Sequence, residues 1–258
     1  MIIDINAYLG NWPFRRLPAT TSDEVVKLLD RAGVDIAVVS SLNSVLYADT
    51  NEGNLELIEE VRNYSKRFIP FAVLNPKYPG WAEDLAQCVE SGFKGIRLYP
   101  QYHNYLLDDE DCLKLVSEAS ELGLVISIPV RLRDRRGRHW MDSARDIGFH
   151  EIEALATKSP HVKIVILESR DVAKSSLVNH ENLYFEISRM PSVLQEMPEL
   201  IRSIGPSRLM FGSGVPLKYV TPAILKVKHL REPEEIKERI LWKNASDLLG
   251  LGIQENKT

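Results

Sequence analysis

Met1-Ile2-Ile3-Asp4-Ile5-Asn6-Ala7-Tyr8-Leu9-Gly10 opens the chain. An apolar, β-branched run without helical spacing reads as a buried strand, and Gly10 ends it. Side chains alternate along a strand, so Asn6 and Tyr8 share one face at its carboxyl end. They sit where the strand feeds a loop. In a barrel of parallel strands that place is the mouth, where such folds keep their chemistry.

Working outward, the same signal recurs. Apolar runs over 34–41, 68–74, 93–100, 124–130, 162–167, 183–187 and 208–211 read as strands. Thr21-Ser22-Asp23-Glu24 spells a capping box, Val25, Leu28, Leu29 and Ala32 follow at helical spacing, and Gly33 suits the end. Further helices are expected around Leu55, Ile58 and Val61, over 81–89, 109–122, 152–157 and 193–204, and from Pro233 to about residue 249. Eight strands alternating with helices imply an α/β chain folded as a (β/α)8 TIM barrel. An open doubly wound sheet is the competitor, but no strand runs into a Gly-x-Gly-x-x-Gly phosphate turn. A single domain over 1–251 with a flexible tail over 252–258 is expected.

At 258 residues the chain can bury one large core. Apolar residues at 44% and charged residues at 26% are the balance of a globular protein. A net charge of −4 gives no field to draw nucleic acid or an anionic membrane, so neither is an expected partner. No apolar run approaches the roughly 20 residues of a membrane span and the start lacks a basic leader, so a cytoplasmic location is expected. Cys88 and Cys112 fall in helical apolar patterns and read as buried thiols. A homodimer is an open option.

Several short motifs stand in order along this frame. They are Ile3-Asp4, Gly33-Val34-Asp35, Gly92-Phe93-Lys94-Gly95-Ile96-Arg97-Leu98, Val162-Lys163-Ile164-Val165, Phe211-Gly212-Ser213 with Pro216-Leu217, and Asn244-Ala245. In that order the chain resembles the amidohydrolase-related barrels, a family of metal-dependent decarboxylases and lactone or amide hydrolases of small carboxylates. The resemblance implies a TIM barrel with its site at the mouth, and it also locates departures. Members carry Asp-x-His-x-His on the first strand; here the histidine places hold Asn6 and Tyr8. The fifth-strand histidine falls on Pro129 or Arg131, the sixth-strand histidine on Glu168, and the eighth-strand aspartate on Gly214. An amide is a weak neutral ligand, a phenol has a reference pKa of about 10, and a guanidinium repels a cation. A catalytic zinc takes about three ligands from imidazole, thiolate or carboxylate. The expectation is therefore a site with no metal and no other cofactor.

Polar groups concentrate at the expected mouth. Glu168, His103 and Asp134 are the candidates for moving protons; Asn6, Tyr8, Arg97, Tyr99, Arg131 and His139 are the candidates for holding substrate. Arg97 and Tyr99 share a face. A buried Arg97 needs an anion, either Glu168 in an ion pair filling the lumen or a ligand carboxylate or phosphate in a guanidinium fork. Arg131-Leu132-Arg133-Asp134-Arg135-Arg136-Gly137-Arg138-His139-Trp140 reads as solvated surface or as a folded lid with Arg–Asp pairs and Trp140 as its apolar anchor. No nucleophile elbow is present at Gly212-Ser213-Gly214.

The leading reading is an amidohydrolase-related hydrolase or lyase that takes a small anionic molecule without a metal. The alternative is a non-catalytic relative, a pseudoenzyme, whose mouth binds a metabolite or a protein partner. A metal site rebuilt from Glu168, Asp134, His103 and His139 ranks last.

Overall fold

The computed structural model describes residues 1–190 and 196–253. Eight parallel strands pair in chain order: β1 (Ile3–Leu9), β2 (Ile36–Ser41), β3 (Phe68–Val73), β4 (Gly95–Arg97), β5 (Val125–Pro129), β6 (Ile164–Leu167), β7 (Leu183–Glu186) and β8 (Leu209–Met210). Ile5 N–H donates to Phe211 O at 3.0 Å, Tyr8 N–H to Val215 O at 2.8 Å, and Gly214 N–H to Asn6 O at 2.7 Å. Those bonds join the last strand to the first, giving the (β/α)8 barrel.

Parallel neighbours cannot be joined by tight hairpins, so helices carry the chain back. These are α1 (Ser22–Ala32), α2 (Thr50–Val61), α3 (Trp81–Glu90), the short α4 (Pro100–His103) with α5 (Glu110–Glu121), α6 (Phe149–Lys158) and α7 (Glu196–Ile204). Beyond β8 come α8 (Thr221–Lys228), α9 (Glu234–Glu238) and α10 (Asn244–Leu249). The capping box at Thr21 and Glu24 is formed, and Gly33 ends α1 at φ 72°, a left-handed turn a side chain would resist. Between α9 and α10, Arg239–Lys243 winds as a π turn. Ile240 O within it accepts the Phe211 N–H at 2.7 Å, tying the last helix to the end of β8. The expected start of a helix at residue 193 lies outside the described residues, as does the tail from 254. Among the described residues no helix is long and apolar enough to cross a membrane.

The fourth strand is shorter than the eight residues expected. Its ladder covers Gly95–Arg97 only, because Pro100 starts α4 directly after Tyr99. A Cβ on Gly95 would lie 2.4 Å from both the Phe71 ring and Val125 O, so the glycine makes room for the ring in the lumen.

Two apolar layers hold the barrel. The outer one seats Val25, Leu29, Leu57, Leu85, Leu115 and Ile152 of the helices on the outward faces of the strands. The inner one packs Ile3, Ile5, Val38, Phe71, Val165, Leu167 and Met210 in the lower lumen, with Ala245 and Leu248 of α10 closing the bottom. The pairing of β1 with β2 slips between Asp4 and Ala7. That irregularity lets Asn6 and Tyr8 face inward above Ile3 and Ile5. One strand thus supplies both the floor and the site.

Candidate active site at the barrel mouth

Two glutamates from neighbouring strands meet above the apolar floor. Glu186 ends β7 and is fully buried; Glu168 follows β6 and is nearly so. The Asn6 amide of β1 bridges them, Nδ2 donating to Glu168 Oε1 at 2.9 Å and to Glu186 Oε2 at 3.3 Å. Glu168 N–H donates to Glu186 Oε2 at 3.1 Å, and Ser188 Oγ–H donates to the same oxygen at 3.0 Å. Glu168 holds φ at 61°, a left-handed conformation costing a non-glycine residue about 1 kcal/mol. Burial, and next to it the charge of Glu168, push the Glu186 carboxyl above its ordinary range. Below them, burial pushes Asp4 up to about 7, against its bonds from Ser213 and Asn6.

Cations come from the segment after β8. Lys218 Nζ donates to Glu168 Oε2 in a close ion pair and to Ser188 Oγ at 3.3 Å. Lys226 of α8 donates to the carbonyls of Ser188 and of Ile187, the latter at 3.3 Å. Over Lys218 opens a cleft of about 700 Å³ whose walls include Arg15, Arg16, Ser188, Ser213, Leu217 and Tyr219. A larger cleft of about 900 Å³ carries Asp23, Glu56, Glu59 and Glu60 but lies away from this cluster. The smaller cleft has the chemistry.

The expected site residues part company here. Glu168 and Asn6 lie at the centre. Arg97 makes no pair with Glu168: its guanidinium donates to Ser127 Oγ at 3.2 Å, Ser40 Oγ at 3.0 Å, Ala7 O at 3.2 Å and Ile5 O at 3.2 Å. It also lies 4.9 Å from the centre of the Tyr8 ring. A fully buried Arg97 with four acceptors braces the lumen and is not a fork open to ligand. Tyr99 is buried beside it, its hydroxyl 3.5 Å from Ser40 Oγ, while among the described residues the buried Tyr8 hydroxyl and Asn6 Oδ1 have no hydrogen-bond partner. His103 Nε2 lies 3.2 Å from Val45 O, and burial pushes the imidazole down to about 4, so it is neutral near pH 7. Asp134 is held far below the carboxylate range by Arg136 and Arg189, which suits a structural pair and not a proton carrier. Arg131 pairs with Asp146 at 3.0 Å, and His139 stacks on Phe14 at 5.9 Å. The arginine loop is folded by such pairs, but Trp140, 84% exposed with its ring 5.8 Å from that of His139, is not the buried anchor expected of it.

Sequence reasoning missed Glu186, Ser188 and Lys218. Glu186 carried the same signal as Glu168, a carboxylate ending an apolar strand in Leu183-Tyr184-Phe185-Glu186. Lys218 gave none, since its partner is 50 residues away.

The family resemblance of the sequence implies a divalent ion at the mouth. The donors do not fit one. The two carboxylates share an amide bridge, an ammonium already sits on Glu168, and Asn6 and Tyr8 offer an amide and a phenol. Gly214 has no side chain, and a Cβ there would lie 2.8 Å from Glu168 Oε1. Among the described residues no three His, Cys, Asp or Glu converge to hold a metal.

Known proteins place the chain. No curated protein matches it. Among solved structures, 2,6-dihydroxybenzoate decarboxylase from Rhizobium superposes with TM-score 0.77 at 17% identity, covering 97% of this chain and 98% of that one. A dihydroxybenzoic acid decarboxylase from a Polaromonas species, with bound manganese and 2-nitroresorcinol, gives 0.76 at 19%, covering 99% and 98%. A 5-carboxyvanillate decarboxylase from Sphingomonas paucimobilis gives 0.73 at 15%, covering 96% and 98%. Identities this low speak for the fold alone. The family model described as Amidohydrolase matches residues 12–251, and the chain therefore belongs to the amidohydrolase family.

Proposed function

We propose that the chain is a lyase that decarboxylates a small carboxylate with an apolar body, using Lys218 in place of a metal ion. The observation that carries this is the Lys218 ammonium, bonded to Glu168 and Ser188, in the wall of the mouth cleft. Leu217, Tyr219, Pro216 and Pro222 give the cleft apolar walls for the body of the substrate. The similarly folded decarboxylases of aromatic acids favour this reaction over a hydrolysis.

In the step, the bond from the substrate carbon to its carboxylate breaks and carbon dioxide leaves. The electron pair stays on the carbon, which takes a proton from Lys218 Nζ. Glu168 holds that ammonium in place through their ion pair. Solvent in the cleft that Lys218 lines returns the proton to Nζ, so the balance is one carboxylate and one proton in, one hydrocarbon position and carbon dioxide out. A placed proton donor of this kind is worth ~100- to 10,000-fold in rate.

The test is a screen of small aromatic and β-keto acids, with lactones and amides beside them, on protein purified without chelators. Lys218→Met should lower kcat at least 100-fold with the fold retained by circular dichroism. Turnover that survives Lys218→Met would overturn the assignment, and ligand binding without turnover by any compound would favour the non-catalytic role.

A further inference from the structure

Arg15, in the loop after β1, and Arg133, in the loop after β5, converge on one atom. Arg15 Nη2 and Arg133 Nη1 each donate to Leu217 O at 3.0 Å. The two nitrogens are therefore no more than about 6 Å apart. Among the described residues neither guanidinium has a carboxylate within ion-pair distance, whereas Arg131, Arg136, Arg138, Arg145 and Arg189 of the neighbouring loops all do. Burial and the charge of Arg15 weaken the hold of Arg133 on its proton. Two like charges thus share a single neutral oxygen, and the charges of Asp134, Asp142 and Glu168 reach Arg133 only from beyond ion-pair distance. Leu217 lines the mouth cleft with Arg15 and Arg16, and it directly precedes Lys218. Adjacent Cα atoms are about 3.8 Å apart, so the carbonyl that both guanidiniums share stands one residue along the chain from Lys218, which lines the same cleft.

We propose that Arg15 and Arg133 form a second anion subsite, so that the ligand of this cleft carries two anionic oxygen groups. One group meets Lys218, which rests on the function proposed above; the other, a carboxylate or a phosphate, bridges the two guanidiniums. Paired N–H donors on planar guanidiniums match the geometry of either group.

The test measures binding of benzoate, isophthalate and 3-phosphonobenzoate by calorimetry at low salt, to the wild type and to variants checked by circular dichroism. Isophthalate or 3-phosphonobenzoate should bind at least 10-fold tighter than benzoate, and the tighter of the two names the second group. In Arg15→Gln/Arg133→Gln the advantage should fall below about 3-fold with benzoate binding unchanged; each glutamine keeps an amide donor for Leu217 O. Arg15→Lys/Arg133→Lys should keep part of it. In Lys218→Met all three acids should weaken by a common factor, leaving the ratio intact. A ratio intact but benzoate binding indifferent to Lys218 would support the subsite while removing the proposed role of Lys218. Equal binding of the acids by the wild type, binding of none, or an advantage that survives the double glutamine variant would overturn the subsite.

Discussion

Asp4→Asn should make the protein more stable at neutral pH, and the size of the gain follows from the surroundings of the carboxyl. Asp4 is fully buried; Oδ1 accepts N–H bonds from Asn6 at 2.9 Å and Ser213 at 3.0 Å, and Oδ2 accepts the Ser213 hydroxyl at 2.5 Å. Burial outweighs those bonds and pushes the group up to about 7, against an unfolded value near 3.9. Because the folded state holds the proton more tightly, the contribution of Asp4 is intact below about pH 4 and is lost as pH rises through about 7. Three units amount to ~4 kcal/mol, of which ~2.5 kcal/mol falls between about pH 5 and pH 8. Asparagine cannot ionise, keeps an oxygen for the two N–H donors and turns its amide to Ser213 Oγ. Urea titrations of both proteins across that range should therefore diverge by ~2.5 kcal/mol, the variant gaining. Curves that stay parallel within about 0.5 kcal/mol would refute the reasoning.

Gly95→Ala should cost ~2 kcal/mol or more in a urea titration, because its methyl meets the Phe71 ring and Val125 O at 2.4 Å and the barrel cannot give way on both sides. Burial pushes the thiols of Cys88 and Cys112 up to about 12, so neither should react with a disulfide reagent at pH 8 until urea unfolds the chain; fast labelling of the native protein would contradict this. Protein purified without chelators should carry metal well below one equivalent, and chelator should leave its melting temperature unchanged; one equivalent of zinc, manganese or iron by elemental analysis would undo the proposed role of Lys218.

Most of the barrel was legible because it is written locally. Thr21 and Glu24 announce a cap, Gly33 a stop, and each apolar run between turn residues a strand; the structure moves their ends by a few residues. Where local pattern misled, a longer-range cause was at work. The fourth strand keeps three of its eight expected residues before the helix that Pro100 starts, and α8, opening on Thr221-Pro222, stands where the sequence pattern announces no element. The mouth was legible only in part. Substitution of the histidine places marked Asn6 and Glu168, but the partner of a buried charge cannot be read from spacing. Arg97 was expected to need an anion, yet backbone carbonyls and two serine hydroxyls satisfy it. Lys218, which does neutralise Glu168, looked like an ordinary loop lysine.

Gly214 sets how closely the carboxylate and the ammonium can meet. With φ at 79° and Glu168 Oε1 and Lys218 Cδ within 2.8 and 3.2 Å of any added Cβ, a side chain here would strain the backbone and press on both partners. A single missing methyl thus keeps the seam between the two charges shut, and any residue that fills position 214 wedges that seam open.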